Sequence, residues 1–237
     1  MSTVHRPLWF ALVVGCTTVI SSHLGRAAEP SVDSARFDTY TRPSGESFFA
    51  LSLTPPSRPP ADARHDVVVV VDTSASQTAG FRDKSLAALD ALLARLDDNS
   101  RVHLLAADVD AVELTSEFVA PRGAEIDEAR DALSQRVPLG ATDMAQAMHT
   151  ALARIQQHAE ASPAVVYIGD GMSIGQLIGT DELTALTDEL VAARVPVNSY
   201  GVGPRIDAQL LAVLANQTGG VLALDRDDLS AEEAGGF

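Results

Sequence analysis

Residues 66–76 read DVVVVVDTSAS. Five successive valines offer no alternation between a core face and a water face. Such a run is buried on both sides, which is the situation of a strand inside a parallel sheet. An aspartate bounds the run at each end. The second, Asp72, is followed by hydroxyls at alternate positions, Ser74 and Ser76. A carboxylate at a strand end with hydroxyls in that spacing can turn three oxygens toward one point, and hard oxygens suit Mg2+, Mn2+ or Ca2+. Ser and Asp are also ordinary turn and helix-capping residues. Taken alone, the stretch supports both readings.

The pattern continues outward from there. Leu86, Leu89, Leu92, Leu93 and Leu96 share one helical face. Residues 101–107 (RVHLLAA) read as a second strand and residues 117–120 as a third. Residues 124–134 are helical in pattern. Residues 143–158 form a helix with Met144, Ala147, Met148, Ala151, Leu152 and Ile155 inward. Another buried strand follows at 164–169 (AVVYIG), then a helix at 181–193 with Leu183, Leu186 and Leu190 on one face. A strand at 196–200 starts on Pro196, where proline is tolerated. A helix at 206–216 ends in Thr218-Gly219-Gly220, and a short strand closes the pattern at 221–224. Strands alternating with helices imply an α/β, doubly wound, mostly parallel central sheet with helices on both faces. Ligands of such sheets bind at the carboxyl ends of the strands, where the strand order reverses. The α/β domain is expected over residues 65–225. A lead-in, residues 28–64, precedes it, with one strand at 48–53 and a stiff linker through Pro55, Pro56, Pro59 and Pro60. A tail, residues 226–237, follows.

Two further segments fall where ligands bind in such folds. Gly140-Ala141-Thr142-Asp143 precedes a helix, and Ile168-Gly169-Asp170-Gly171 ends a buried strand. Together with Asp72-Thr73-Ser74-Ala75-Ser76, these make the sequence resemble the von Willebrand factor A-type domain family. That family carries a metal-ion-dependent adhesion site written Asp-x-Ser-x-Ser, then a Thr before a helix, then an Asp after a strand. Asp72, Ser74, Ser76, Thr142 and Asp170 match all five positions, in a resemblance that covers roughly residues 66–224. The resemblance implies strand order 3-2-1-4-5-6 and a bound Mg2+ (or Mn2+ or Ca2+). Ser74, Ser76 and Thr142 would be direct ligands, and Asp72 and Asp170 direct or water-bridged ones. Two carboxylates and three neutral hydroxyls leave a divalent ion undersatisfied, so an open coordination position attracts a carboxylate from a protein partner. The function implied is a metal-dependent protein-binding module.

Other residues near these motifs have simpler readings. Asp143 is taken as a helix-start carboxylate stabilised by the dipole, not as a ligand. Thr73 and Gln77 are taken as solvent-exposed loop residues. Gly169 and Gly171 are expected to allow close backbone approach beside Asp170. Met172 and Ile174 either rim the site or tuck under its loop. His65, His103, His149 and His158 lack metal-binding spacing and read as surface or strand residues.

Composition sets the outer limits. The 237 residues carry a net charge of −15. Residues 1–6 hold one Arg, residues 8–20 are mostly apolar, and Leu24-Gly25-Arg26-Ala27-Ala28 supplies small residues for cleavage. Residues 1–27 therefore read as a signal peptide of an exported protein, periplasmic or secreted. Its removal takes away Arg6 and Arg26 and no acid, which moves −15 to −17. A surface so acidic repels phosphate backbones and excludes nucleic acid as a partner. Alternatively, Val13-Val14-Gly15-Cys16 resembles a lipobox, with a lipid on Cys16 as a membrane anchor. Apolar character continuing through Val19 and Ile20 favours plain cleavage. Cys16 is the one cysteine, so the cleaved chain has no internal disulfide and no cysteine-built zinc site.

Enzyme readings fare poorly. A subtilisin-like protease needs a nucleophilic Ser where Thr142 and Asp143 stand, and a His within reach of it. A phosphatase with an aspartyl nucleophile wants a second Asp at position 74, which is Ser74. The remaining alternative is a structural domain of a larger exported assembly with no active metal site. The tail after Leu229, SAEEAGGF, holds no helix of useful length and no anchor, which fits the N-terminal part of a longer protein.

Overall fold

The computed structural model describes residues 35–53, 64–78, 80–158 and 161–225. The leader at 1–27, its Cys16, the proline-rich linker and the tail at 226–237 lie outside the described residues. The described chain falls into two units.

The smaller unit is a hairpin of β1 (Ala35–Thr41) and β2 (Ser47–Leu53), paired antiparallel with Phe37 opposite Leu51 and Thr39 opposite Phe49. The sequence reading contained only the second strand. The turn between them is closed by Gly45 N–H donating to the Arg42 carbonyl at 2.9 Å, with Gly45 at φ +89°. A left-handed position of this kind suits glycine in a hairpin turn.

The larger unit contains a six-stranded sheet. Its strands are β3 (His65–Asp72), β4 (Arg101–Ala107), β5 (Ala111–Glu113), β6 (Ser162–Gly169), β7 (Val197–Gly201) and β8 (Leu222–Leu224). Their spatial order is β5-β4-β3-β6-β7-β8. Counted from the valine strand, this is 3-2-1-4-5-6, as expected. All neighbours are parallel except β5, which runs antiparallel to β4.

That third strand corrects the sequence reading, which placed it at 117–120. There the chain makes only an isolated bridge between Val119 and Val102. The cause is the Asp108–Asp110 turn, where Asp108 N–H donates to the Asp110 carbonyl at 3.1 Å. A connection this short can only return antiparallel, because a parallel return needs a long crossover.

Among the described residues five helices cover the sheet: α1 (Gly80–Arg95), α2 (Ala124–Gln135), α3 (Met144–His158), α4 (Thr180–Ala192) and α5 (Ala208–Thr218). The valine strand explains the layering. Val67, Val69 and Val71 pack with Leu89, Leu92 and Leu93 of α1 and Ile126 and Leu133 of α2. Val68 and Val70 pack on the other face with Met144, Met148 and Leu152 of α3, Leu186 and Leu190 of α4, and Leu211 and Leu214 of α5. Each such side chain contributes roughly 1.5–3 kcal/mol on burial. Among the described residues no helix is long and apolar enough to cross a membrane.

Candidate metal centre

The order 4-3-6 around the valine strand means that the chain leaves β3 to one side and returns through β6 on the other. The crevice above the carboxyl ends of β3 and β6 is thus the topological switch point. Asp72 ends β3, and Asp170 follows the last residue of β6. Both are buried, with 2% and 1% of their surface exposed.

Four of the five anticipated residues form one hydrogen-bonded group. Asp72 Oδ1 accepts from the Ser74 amide at 2.8 Å and from the Thr142 hydroxyl at 3.0 Å. The Ser74 and Ser76 hydroxyl oxygens are 2.9 Å apart. Asp170 joins through charge rather than a hydrogen bond. Its own Oδ1 accepts the Met172 amide at 2.9 Å, and its negative charge bears on Asp72. Burial above all, with the Asp170 charge adding, pushes the Asp72 carboxyl up to about 6 against the opposing bonds from Ser74 and Tyr167. Among the described residues neither carboxylate is ion-paired to a Lys, Arg or His. Nor do three His, Cys, Asp or Glu side chains come together there as a metal site; the oxygen set here is two carboxylates completed by hydroxyls.

The loop carrying Thr142 is held from three sides. Leu139 N–H donates to the Thr73 carbonyl at 3.1 Å, Asp143 N–H to the Asp108 carbonyl at 2.9 Å, and Gly175 N–H to the Thr142 carbonyl at 3.0 Å. Asp108 in turn accepts from Arg136 at 2.7 Å and from the Thr73 hydroxyl at 2.9 Å. Partial burial pushes the Asp108 carboxyl up, but the Arg136 guanidinium and the Thr73 hydroxyl outweigh it and hold it below its ordinary value. Asp143 Oδ1 accepts the Gln146 amide at 3.0 Å, three residues on, which is the geometry of a helix N-cap.

Thr73 and Gln77 correct the sequence reading, since both are buried. Gln77 donates from Nε2 to the Val202 carbonyl at 3.1 Å and accepts from Ser85 at 3.2 Å. A polar side chain that spans the end of the sheet to a neighbouring backbone has no periodic signature. His103 is a buried strand residue whose Nδ1 lies 3.0 Å from the Thr115 hydroxyl. His149 is exposed, His65 half-buried, and the side chain of His158 lies outside the described ones.

Glycines shape the centre, though not all where expected. A Cβ on Gly169 would fall 2.4 Å from Asp72 Cβ and 2.5 Å from the Tyr167 hydroxyl, so Gly169 makes room beside Asp72 rather than Asp170. Gly171, at φ +72°, lies against Leu211. The residue that closes on Asp170 is Gly203, where a Cβ would meet Asp170 Cβ at 2.5 Å. Neither Gly203 nor Tyr167 was singled out from sequence. The Tyr-x-Gly spacing on one strand face was the available signal for the second.

Apolar side chains crown the loops around the centre. Met172 is half-buried, Ile174 is 58% exposed and Leu177 is 83% exposed, above a cavity of about 270 Å3 that they share with Leu183, Leu210 and Val213. Val137 and Leu139, ahead of Thr142, are also exposed. Ile174 is thus exposed rather than tucked under its loop, while Met172 is partly tucked in.

A profile of the von Willebrand factor type A domain matches residues 65–224. Among solved structures, the chain resembles a von Willebrand factor type A protein from Catenulispora acidiphila, with 14% identity and a TM-score of 0.65 over 85% of this chain and 48% of that one. It also resembles proximal thread matrix protein 1 from the mussel byssus, solved with a zinc-occupied MIDAS motif, with 17% identity and a TM-score of 0.58 over 73% of this chain and 46% of that one. The manganese-loaded TRAP protein of Plasmodium vivax aligns with 18% identity and a TM-score of 0.50, over 77% of this chain and 66% of that one. This chain spans about half the length of the first two. At these identities the structural likeness speaks for the fold. No curated protein matches the sequence. The profile match takes in the whole six-stranded unit, and the chain belongs to the von Willebrand factor type A domain family.

Proposed function

We propose that this domain is an exported protein-binding module that holds one divalent cation, Mg2+ (or Mn2+ or Ca2+), and uses it to engage an acidic side chain of a protein partner. The observation that carries the reading is the pair of buried carboxylates, Asp72 and Asp170, at the switch point with no cationic side chain beside them among the described residues. A buried anion without a counter-charge is costly. A small divalent ion with hard oxygen ligands fits that need, and the donor set is all oxygen. Ser74, Ser76 and Thr142 would hold the ion, with Asp72 and Asp170 direct or through water. The Thr142 hydroxyl already donates its proton to Asp72, which leaves its lone pairs for a cation. The cation would supply a positive charge with a position open to an outside carboxylate, while Ile174, Leu177, Val137 and Leu139 offer apolar contact around it. Two relatives of the same fold carry zinc and manganese, which supports a divalent ion without choosing among them.

No catalytic role is assigned. The residues of the oxygen cluster are all assigned to holding the cation. The export signal read at residues 1–27 supports a periplasmic or secreted location.

Calorimetric titration of the chain with Mg2+ and Mn2+ tests the reading, alongside Asp72→Ala and Asp170→Ala. One saturable site, lost in both variants while their folds survive, is the expected result. Absence of binding in the parent would overturn the metal reading and leave a structural domain of a larger assembly.

A further inference from the structure

Tyr167 is a buried group that the proposed binding role does not use. It lies on β6 with its whole surface covered, and its parity along the strand points it to the face of Val68 and Val70. Gly169, two residues on, belongs to the same strand face and has no side chain. The phenol extends through that gap, as the 2.5 Å clearance between its oxygen and a Cβ placed on Gly169 records. Its hydroxyl donates to Asp72 Oδ2 at 3.0 Å and accepts the Gly171 amide at 3.1 Å. Asp72 Oδ1 is engaged on its other side by Ser74 and Thr142. Burial, with the nearby Asp72 and Asp170 charges, keeps the phenol well above its ordinary range and therefore protonated at neutral pH.

We propose that Tyr167 is a positioning residue of the cation site, which fixes the Asp72 carboxylate from beneath and ties it to the turn after Asp170. This rests on the metal reading above. A carboxylate free to rotate can present either oxygen. One whose Oδ2 is tied down by a phenol keeps Oδ1 toward Thr142 and Ser74. The same hydroxyl links the end of β3 to Gly171, so the two carboxylate-bearing segments share one buried atom. Hydrogen bonds of this outer kind set ligand orientation, and their removal weakens metal binding by roughly 10–100-fold. Phenylalanine fits the slot but leaves Asp72 Oδ2 and the Gly171 amide unpartnered in the interior.

The test combines calorimetry with near-UV difference spectroscopy on the parent, Tyr167→Phe and Tyr200→Phe. Tyr200 bonds instead to Asp225, at 2.9 Å. A cation beside Asp72 draws charge from the carboxylate that the phenol contacts. Saturating the parent with Mg2+, itself spectroscopically silent, is therefore expected to give a tyrosine difference signal. Tyr200→Phe should keep the signal. Tyr167→Phe should lose it and bind Mg2+ about 10-fold more weakly, with its circular dichroism unchanged. Binding by the parent with no tyrosine signal would overturn the role of Tyr167 and leave the metal site standing, and this arm needs no variant to fold. So would a Tyr167→Phe protein that binds as the parent does. Absence of Mg2+ binding in the parent would remove the metal reading and this inference with it.

Discussion

The valine strand carries an aspartate at each end, and the two are built in opposite ways. Asp66, at the start of β3, has none of its surface exposed and receives a two-pronged bond from Arg101, at 2.8 and 2.7 Å. Arg64 lies 3.9 Å away. Asp72, six residues on, is as deeply buried but is met by an amide, a threonine hydroxyl, a phenol and a second carboxylate. One end of the strand neutralises its charge from within the chain, and the other leaves a negative centre at the ligand-binding edge of the sheet. A guanidinium stands against one buried aspartate, and among the described residues none stands against the other, which is the end where the proposed cation would bind.

Substitutions should separate the two ends. Asp66→Ala breaks the two-pronged bond from Arg101. Since the arginine side chain is 27% exposed, a loss of about 3 kcal/mol in urea unfolding is expected, the lower end of the range for broken buried pairs. The matching change at the other end, Asp72→Asn, should leave the metal-free protein as stable or make it more so, by about 1–3 kcal/mol at pH 7. If both substitutions destabilised equally, the contrast between the two ends would fail.

The pH response sharpens the point. The folded Asp72 carboxyl is raised to about 6 from its ordinary value near 4. Its contribution to stability is therefore full below about pH 4 and is lost as pH rises through about 6. Metal-free protein should gain about 1 kcal/mol from this group between pH 7 and pH 5, a gain that Asp72→Asn abolishes. A cation favours the ionised form, so Mg2+ affinity should fall over the same interval. The smallest effect belongs to Asp143. Asp143→Ala removes the cap of α3, with a loss of about 1 kcal/mol in thermal unfolding and Mg2+ affinity within about two-fold of the parent. A loss of binding there would make Asp143 a ligand after all.

Much of this was legible from the chain. Five β-branched valines without alternation read as an interior strand. The residues after each strand could then be read as site candidates because the sheet type fixes which edge binds. Asp72, Ser74, Ser76 and Thr142 meet as one group because they follow from that logic together with a specific motif. Features set by long-range packing were harder to see. Residues 111–113 are too short to signal a strand, and the turn at Asp108 decides their direction. β1 alternates weakly, with Thr39 and Thr41 beside Phe37, and acquires meaning only through its partner strand. Thr73 and Gln77 look like loop residues, yet each bridges to another strand's end, at Ala107 and Val202. Gly203 stands more than thirty residues from the aspartate it makes room for.

The most direct test is the unfolding free energy of the parent measured with and without Mg2+, beside Asp72→Ala. The account predicts a metal-free protein that folds without the ion, because its core is apolar. It also predicts a gain approaching about 3 kcal/mol at a Mg2+ concentration of about 100 times Kd, with no gain in the variant. A parent whose stability is indifferent to Mg2+, or an Asp72→Ala protein that gains as much, would contradict it.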